Sequence, residues 1–255
     1  NSAGRMDDAT VALKFLLSKD QFSAYESLAV LDELNSYRKT IQERISNEAE
    51  QKSNKEDRAV IVWAEDWHEG IIGIVASKLS NSYKKPTFIF SIQNGIAKGS
   101  ARANSNINLY DLISKASHLL LGFGGHKNAA GLSLLEENLP EFKEIINKEL
   151  EKSDDILHNE FITLGELDVS SVDLEFISII ESFEPYGLEN DRPFFKVSNA
   201  NLIKSELIGK DKNHLKLTLS SDGFVFEALK FFNSNTNLNN RLDLIISISK
   251  NEFRG

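Results

Sequence analysis

The sequence contains no cysteine among its 255 residues. This absence excludes disulfide bridges and thiolate metal sites, and it predicts a protein of a reducing compartment, for which we expect the cytoplasm. The sequence has no run of about 18 apolar residues, so it predicts no membrane-spanning segment, and no signal peptide opens it. The chain begins at Asn1 and its only methionine is Met6, so we expect a piece of a longer protein unless Met6 is the true start.

The common catalytic signatures are missing as well. His68-Glu69 begins like the HExxH zinc motif, but Ile72 stands where the second histidine must be. The sequence shows no Ser-His-Asp spacing and no P-loop. Glu65, Asp66 and Glu69 lie near His68, yet a two-metal nuclease site needs several convergent carboxylates and no second cluster is found. The sequence therefore predicts substrate-binding residues, no metal ligand and no complete reaction centre.

Charge is unevenly distributed. The whole chain carries a formal charge of −9, which argues mildly against a nucleic-acid-binding protein. Residues 58–130 reverse this balance, because they hold eight Lys or Arg residues against four acids. This positive segment favours an anionic ligand.

A glycine-rich stretch, Gly122 to Gly131 (GFGGHKNAAG), ends the positive segment. Glycines such as Gly124 and Gly125 permit positive φ angles and close ligand approach, and successive N–H groups of such a loop can form an anion site. His126 and Lys127 add hydrogen-bond donors where the loop ends. On this stretch alone, a tight turn before a buried strand is as good an interpretation as a phosphate-binding loop.

Two further patterns indicate phosphate binding. Ser100 and Arg102 are two residues apart, so on a strand they share a face, where a hydroxyl and a guanidinium can hold one phosphate. His68 precedes a helix that contains Gly70 and Gly73, where a histidine can donate to a phosphate. The alternatives are two exposed polar residues on the strand, and a surface histidine beside glycines that serve packing. Arg5, in a turn-like start of the chain, is either solvated or functional.

The periodicity predicts an α/β region followed by an all-β region. Helices are expected at 7–18, 25–51, 69–80, 108–120 and 139–150, and strands at 59–63, 86–90, 95–103 and 129–134. Polar segments at 51–57 and 151–160 indicate linkers. Beyond them, strands are expected at 161–167, 194–208, 214–220, 224–232 and 242–249, with little helix, which suggests a small barrel or sandwich.

Several segments resemble one family. The segments GRMDDA (4–9), WHEGIIGIVASKL (67–79), KPTFIFS (85–91), KGSARA (98–103) and GFGGHKNAAGLSL (122–134) resemble RecJ, the bacterial single-strand-specific DNA exonuclease family of the DHH phosphoesterase superfamily. EPYGLENDRPFF (184–195) and IGKDKNHLKL (208–217) resemble the OB-fold domain of this family.

The resemblance implies an α/β DHH-associated domain preceded by a long connecting helix and followed by an all-β OB-fold-like barrel. Residues 1–57 would be connecting helices from a missing DHH domain, residues 58–152 the DHH-associated domain and residues 153–255 the OB-fold. Residues 251–255 resemble the approach to the last OB strand, in which case the barrel would be incomplete within this chain.

The resemblance also implies a function, namely Mn²⁺- or Mg²⁺-dependent 5′→3′ hydrolysis of single-stranded DNA in repair and recombination, with helicase or single-strand-binding proteins as candidate partners. The metal ligands would lie on the missing domain, so this chain alone is expected to be inactive. A DHH-family oligonucleotide or cyclic-dinucleotide phosphodiesterase and a non-enzymatic nucleic-acid-binding relative remain as alternatives. For the OB aromatics Phe194, Phe195, Phe224 and Phe226, a place in the core is expected rather than base stacking.

Residue by residue, the resemblance implies that Ser100 and Arg102 hold the 5′-terminal phosphate and that Arg5 lies beside the catalytic cleft. His126, with Gly124 and Gly125, would face the metals and the scissile phosphate as a catalytic residue. The resemblance places His68 on the same cleft wall. Lys127 belongs to the same expected DNA-binding set. Phe123 stands where the family often has another glycine.

Overall fold

The structure, a computed structural model, describes residues 2–103, 107–152, 162–187, 189–231, 233 and 235–250. The chain divides into two compact units, residues 1–159 and 160–255. None of the helices in the described ranges is long and apolar enough to cross a membrane.

The first unit begins with three helices. These are α1 (Ala3–Met6), α2 (Thr10–Leu16) and α3 (Gln21–Lys52). Arg5 therefore lies in a helical turn rather than in the expected turn-like segment, and the single helix expected at 7–18 is replaced by α2. Its start is set by Asp8, whose Oδ1 accepts from the backbone N–H and the hydroxyl of Thr10.

The long helix α3 begins earlier than its apolar periodicity predicts. Asp20 caps it by accepting from the N–H of Ser23 at 2.8 Å. Of its side chains, only Ile45, Ser46 and Ala49 are buried. With 32 residues and a rise of about 1.5 Å per residue, α3 is about 48 Å long. Its contribution to the core comes from the segment that begins at Ile41.

A five-stranded mixed sheet forms the centre of the first unit. Its strands are β1 (Val60–Glu65), β2 (Thr87–Gln93), β3 (Ile96–Arg102), β4 (Leu120–Gly125) and β5 (Ala129–Leu135), in the order β1-β2-β3-β5-β4. β1 and β2 are parallel and the other pairs are antiparallel. The helices are α4 (Glu69–Tyr83), α5 (Leu109–Ser114) and α6 (Leu139–Glu151).

Helices cover both faces of the sheet. On one face, α3 and α4 pack on β1 and on Ile89 of β2. On the other face, Phe88 and Phe90 of β2 make edge-to-face contacts with Phe142 of α6, with ring centroids 5.6 and 5.8 Å apart. Six consecutive residues of β2 are buried for this reason, which explains its continuous apolar run.

The second unit is built on a four-stranded antiparallel sheet. Its strands are β6 (Phe195–Ile208), β7 (His214–Ser221), β8 (Phe224–Lys230) and β9 (Arg241–Ile246), in the order β8-β7-β6-β9. The expected alternation in β7 is confirmed, since Leu215, Leu217 and Leu219 are buried. One helix that the sequence patterns did not predict, α7 (Leu174–Glu181), packs on this sheet through Phe176 and Phe195.

Two expectations for this unit are wrong, namely the strand at 161–167 and the burial of two phenylalanines. The expected strand at 161–167 is reduced, within its described part, to an isolated bridge between Glu166 and Lys196. The expected all-β, OB-fold-like character of the unit is confirmed. Its described strands form an open sheet rather than a closed barrel, because β8 and β9 do not pair with each other. Phe195 and Phe226 pack in the core as expected, but Phe194 and Phe224 are exposed. The segments 153–161 and 251–255, and Phe232, lie outside the described residues.

Candidate phosphate-binding site

Strand β3 places three polar side chains on one face of the sheet of the first unit. Lys98, Ser100 and Arg102 alternate with Gly99 and Ala101, so they point to the same side. Arg102 Nη1 donates to Ser100 Oγ at 3.0 Å and to the carbonyl oxygen of Ala101 at 2.7 Å. These two bonds fix the guanidinium beside the hydroxyl, as the spacing predicts.

Helix α4 approaches this pair through a glycine. A Cβ built at Gly73 would lie 3.1 Å from Ser100 Oγ and 3.2 Å from Arg102 Nη2. A larger residue would displace both groups. Gly73 therefore lets the helix lie directly against the Ser100–Arg102 pair. From the sequence, only the close approach of some neighbour to this helix could be predicted, and not which residues it would be.

A second glycine of α4 brings Arg5 to the same place. A Cβ at Gly70 would overlap the backbone carbonyl oxygen of Arg5, so α1 packs on α4 only because residue 70 is glycine. The Arg5 guanidinium in turn donates to the carbonyl oxygen of Gly70 at 3.4 Å. The two glycines thus serve packing, and this packing assembles the site.

Arg5 and Arg102 form a concentration of positive charge. Burial lowers the pKa of Arg102, and the nearby charge of Arg5 lowers it further. Within the described ranges, no carboxylate forms an ion pair or hydrogen bond with either guanidinium. Two like charges held together without a carboxylate are electrostatically suited to an anion such as phosphate.

His68 is the N-cap of α4. Its Nδ1 accepts from the backbone N–H of Gly70 at 3.1 Å. Neutral His68 therefore carries its proton on Nε2, and this nitrogen is the one that can donate to a ligand. His68 thus caps α4 through Nδ1. Its Nε2 is the donor that remains for a ligand at the cleft wall on which the resemblance places this residue.

The glycine-rich stretch is a β-hairpin, in which residues 122–125 end β4, residues 126–128 form the turn and residues 129–131 begin β5. Gly122, Phe123, Gly124 and Gly125 belong to β4 and pair with β5, so the expected nest of free N–H groups is replaced by sheet pairing. Gly125 has a φ of 153°, and a Cβ there would overlap Ala129 and Ala130. Gly125 is therefore required for the hairpin itself.

The other glycines of this hairpin are not required by their neighbours. A Cβ at Gly124 would meet nothing within 4 Å, and at Gly122 and Gly131 the nearest described atom is 4.0 Å away. Gly131 lies opposite Ser100 in the neighbouring strand, and Gly124 lies opposite Gly131. Gly122, Gly124 and Gly131 are called the glycine face below. They form a bare backbone surface beside Ser100 on this side of the sheet.

His126 and Lys127 lie in the β4–β5 turn with exposed side chains. The backbone N–H of His126 donates to Ala129 O at 2.8 Å, so it is not available for a ligand. The N–H of Ala103 donates to the carbonyl oxygen of Asn128 at 3.1 Å, which fixes the turn beside the end of β3. The structure therefore brings Arg5, Ser100 and Arg102 together, with His68 at the start of α4 and His126 and Lys127 beyond Arg102.

The described residues do not fit the metal that the resemblance implies. No group of three or more His, Asp or Glu side chains in the described ranges could hold a metal ion. The guanidiniums of Arg5 and Arg102 carry hydrogen-bond donors and no acceptor atom, so they suit an anion rather than a cation.

Comparison with known proteins first defines the class. Residues 40–152 match the family model of the DHHA1 domain, and residues 165–255 match that of the RecJ OB domain. An α/β unit of the DHHA1 type and a unit of the RecJ OB type thus follow one another in a single chain.

The relatives specify the family. The chain is 32% identical over 240 residues to the single-stranded-DNA-specific exonuclease RecJ of Bacillus subtilis, covering 91% of this chain and 30% of that protein. It is 33% identical to RecJ of Haemophilus influenzae, covering all of this chain and 48% of that protein. RecJ of Thermus thermophilus in complex with Mn²⁺ superposes with a TM-score of 0.80 at 26% identity, over 100% of this chain and 38% of that one. The chain belongs to the RecJ family.

Proposed function

We propose that this chain is the substrate-binding part of a metal-dependent 5′→3′ exonuclease that acts on single-stranded DNA in repair and recombination. The observation that carries the proposal is the convergence of Arg5, Ser100 and Arg102, with no carboxylate paired to either guanidinium among the described residues. The chain spans less than half the length of the two curated relatives compared above, so this activity is proposed for the longer protein.

In this proposal, the site holds the 5′-terminal phosphate of the strand. Arg102 offers a planar fork of donors already oriented by Ser100 and Ala101 O, so little side-chain entropy is lost on binding. Arg5 adds a second positive charge from the helix side. Holding the terminal phosphate fixes the position of the first phosphodiester bond, and positioning of this kind supplies several kcal/mol towards a barrier.

The glycine face and the β4–β5 turn lie beside Ser100 and Arg102 on the same sheet. The bare backbone at Gly124 and Gly131 allows the strand to approach closely, and the exposed side chains of His126 and Lys127 contact the scissile phosphate. The Nε2 of His68 is a further donor on the helix wall. In the second unit, exposed rings such as Phe194 and Phe224 stack on bases, an interaction of about 1–3 kcal/mol per base.

The metal chemistry is assigned to residues other than those described. RecJ of Thermus thermophilus has been crystallised with Mg²⁺ and with Mn²⁺, and we propose the same ions for the longer protein that contains this chain. Helicases and single-strand-binding proteins are the proposed partners, and the bacterial cytoplasm, where the chromosome lies, is the proposed location.

The first test is the binding of oligonucleotides with a 5′-phosphate or a 5′-hydroxyl, measured by fluorescence anisotropy. We expect the wild-type chain to prefer the 5′-phosphate, and Arg102→Ala to lower its affinity for that strand by about tenfold or more, because a charge-assisted hydrogen bond contributes about 1.5–3 kcal/mol. Arg44→Ala, which removes an exposed arginine of α3 paired with Glu48, is the matched control. An unchanged phosphate preference in Arg102→Ala would remove this residue from the role.

The second test is a nuclease assay of this chain with Mn²⁺. We expect binding without turnover, because no metal-binding cluster is found in the described ranges. Cleavage that persists through repurification would show that the catalytic centre lies in this chain. If the longer protein also binds the strand without cleaving it, the protein is a non-enzymatic binding relative.

A further inference from the structure

A cleft opens on the sheet face that carries Ser100 and Arg102, the residues proposed to hold the terminal phosphate and called the phosphate grip below. Its volume is about 460 Å³, which is within the size range of small-molecule sites. Glu69 and Ile72 of α4 form one wall. β3, β5 and the Gly122 end of β4 form the floor, on which Lys98, Ser100 and Ser133 present polar groups.

The cleft lies on one side of the grip and the β4–β5 turn on the other. Along β3 the order is Lys98, Ser100, Arg102, and then Ala103, whose N–H is bonded to the turn. Successive same-face positions of a strand are about 6.7 Å apart. Lys98 is therefore one such step beyond Ser100, away from His126.

This direction determines what the cleft can receive, if the proposed function holds. A strand whose terminal phosphate lies at Ser100 and Arg102 and whose scissile bond lies near His126 leaves the Lys98 end of the cleft empty. A group attached to the outer side of the 5′-phosphate would lie in that end of the cleft.

The lining favours phosphate over a nucleoside. Ile72 is the apolar side chain that faces the cleft, since Phe123 and Leu132 belong to the opposite face of the sheet and pack in the other core. A base would be expected to stack on an aromatic ring, and no ring of the described lining faces this space. A lysine, two serine hydroxyls and a bare backbone instead suit phosphate oxygens.

Lys98 is positioned to change partners. Its Nζ lies 3.0 Å from Glu69 Oε1, and the two side chains are 55% and 37% exposed. An exposed ion pair of this kind contributes only about 0–1 kcal/mol, so Lys98 can leave Glu69 for a phosphate at little cost.

We propose that the Lys98 end of the cleft binds the outer phosphates of a strand that carries a 5′-di- or triphosphate. This inference rests on the proposed function and extends it, because it assigns to the same site a class of 5′ end beyond the monophosphate. Lys98 contacts the outer phosphates, Ser100 and Arg102 keep the phosphate nearest the sugar, and Glu69 is the competing anion that the incoming phosphates displace.

The test compares three oligonucleotides of one sequence, with a 5′-hydroxyl, a 5′-monophosphate and a 5′-triphosphate, by anisotropy with this chain. We expect the wild type to bind the triphosphate at least as tightly as the monophosphate. Lys98→Ala should weaken triphosphate binding by about tenfold and leave monophosphate binding nearly unchanged. Glu69→Gln should strengthen triphosphate binding, because it removes the competing charge.

The matched control is Lys78→Ala. Lys78 also pairs with a glutamate, Glu50, at similar exposure, but does not line the cleft. The inference is overturned if the triphosphate binds more weakly than the monophosphate, or if Lys98→Ala weakens both equally. A wild type that does not distinguish the 5′-hydroxyl from the 5′-monophosphate would instead contradict the proposed phosphate grip, and the inference with it.

Discussion

At the scale of single residues, four glycines, two in α4 and two in β4, have different physical roles. Gly70 and Gly73 allow α4 to touch Arg5 and the Ser100–Arg102 pair, whereas Gly125 permits the hairpin. Gly124 has no described neighbour that a Cβ would meet within 4 Å. No described neighbour therefore requires a glycine here, and contact with a ligand is our proposal for its smallness. Substitution can separate the two kinds of glycine.

Gly70→Ala is expected to destabilise the first unit by about 1–3 kcal/mol, because the added methyl overlaps the Arg5 carbonyl and the helices must move apart. Denaturant unfolding measures this change. Because Arg5 is displaced with α1, the variant should also lose affinity for a 5′-phosphorylated strand. Wild-type stability and wild-type phosphate affinity in this variant would contradict the helix contact described here.

Gly124→Ala is expected to leave the free energy of unfolding within about 0.5 kcal/mol of the wild type, because the new methyl meets no described atom. The same methyl should weaken binding of single-stranded DNA, since it stands on the glycine face. Paired measurements of unfolding and anisotropy check both points. Unchanged DNA affinity would mean that the strand does not approach this surface.

At the scale of secondary-structure elements, one side chain connects the first strand to the last helix of the α/β unit. Asn147 Oδ1 of α6 accepts from the N–H groups of Arg58 and Ala59 at 2.8 and 3.1 Å. Asn147 Nδ2 in turn donates to Lys143 O at 2.9 Å. Arg58 and Ala59 directly precede β1, so this amide fixes the entry of β1 into the sheet.

Asn147→Ala is expected to cost about 1–3 kcal/mol of unfolding free energy, because it takes the acceptor from two N–H groups, one of them on fully buried Ala59. Asn35→Ala is a suitable control, since the Asn35 side chain accepts only from Arg38 on the surface of α3 among its described hydrogen bonds. Equal stabilities of the two variants in denaturant would show that Asn147 does not fix β1.

At the scale of the whole molecule, an acidic chain is proposed to bind a polyanion through a local positive site. The formal charge of −9 repels DNA at long range, and this repulsion is screened by salt. Binding therefore depends on the contacts of Arg5, Arg102 and their neighbours rather than on the total charge.

The logarithm of the binding constant for a 5′-phosphorylated strand should fall linearly with the logarithm of salt concentration, with a slope of about −0.7 per phosphate neutralised. Arg5→Ala should make this slope shallower by about 0.7, because one phosphate contact loses its cation. A salt titration with wild type and variant measures both slopes. Identical slopes would place Arg5 outside the interface.

The sequence by itself determined most of the elements and the family. The apolar run of β2, the amphipathic α6 and the alternating leucines of β7 each encode burial locally, so their secondary structure follows from periodicity. The two-residue spacing of Ser100 and Arg102 likewise predicted their shared face, and the phosphate ligand stays a proposal. The family resemblance, which the comparisons confirm, rests on the same local motifs.

Only the tertiary structure decided which elements meet. Glycine permits many backbone conformations and favours neither helix nor strand. The stretch at Gly122–Gly125 could therefore be assigned to strand β4 only from its pairing with β5. The open sheet of the second unit is also a matter of pairing, which no local period encodes. Arg5 lies near Arg102 because Gly70 lets α1 pack on α4 and Gly73 lets α4 pack on β3. Such contacts between distant segments cannot be predicted from the periodicity of the sequence.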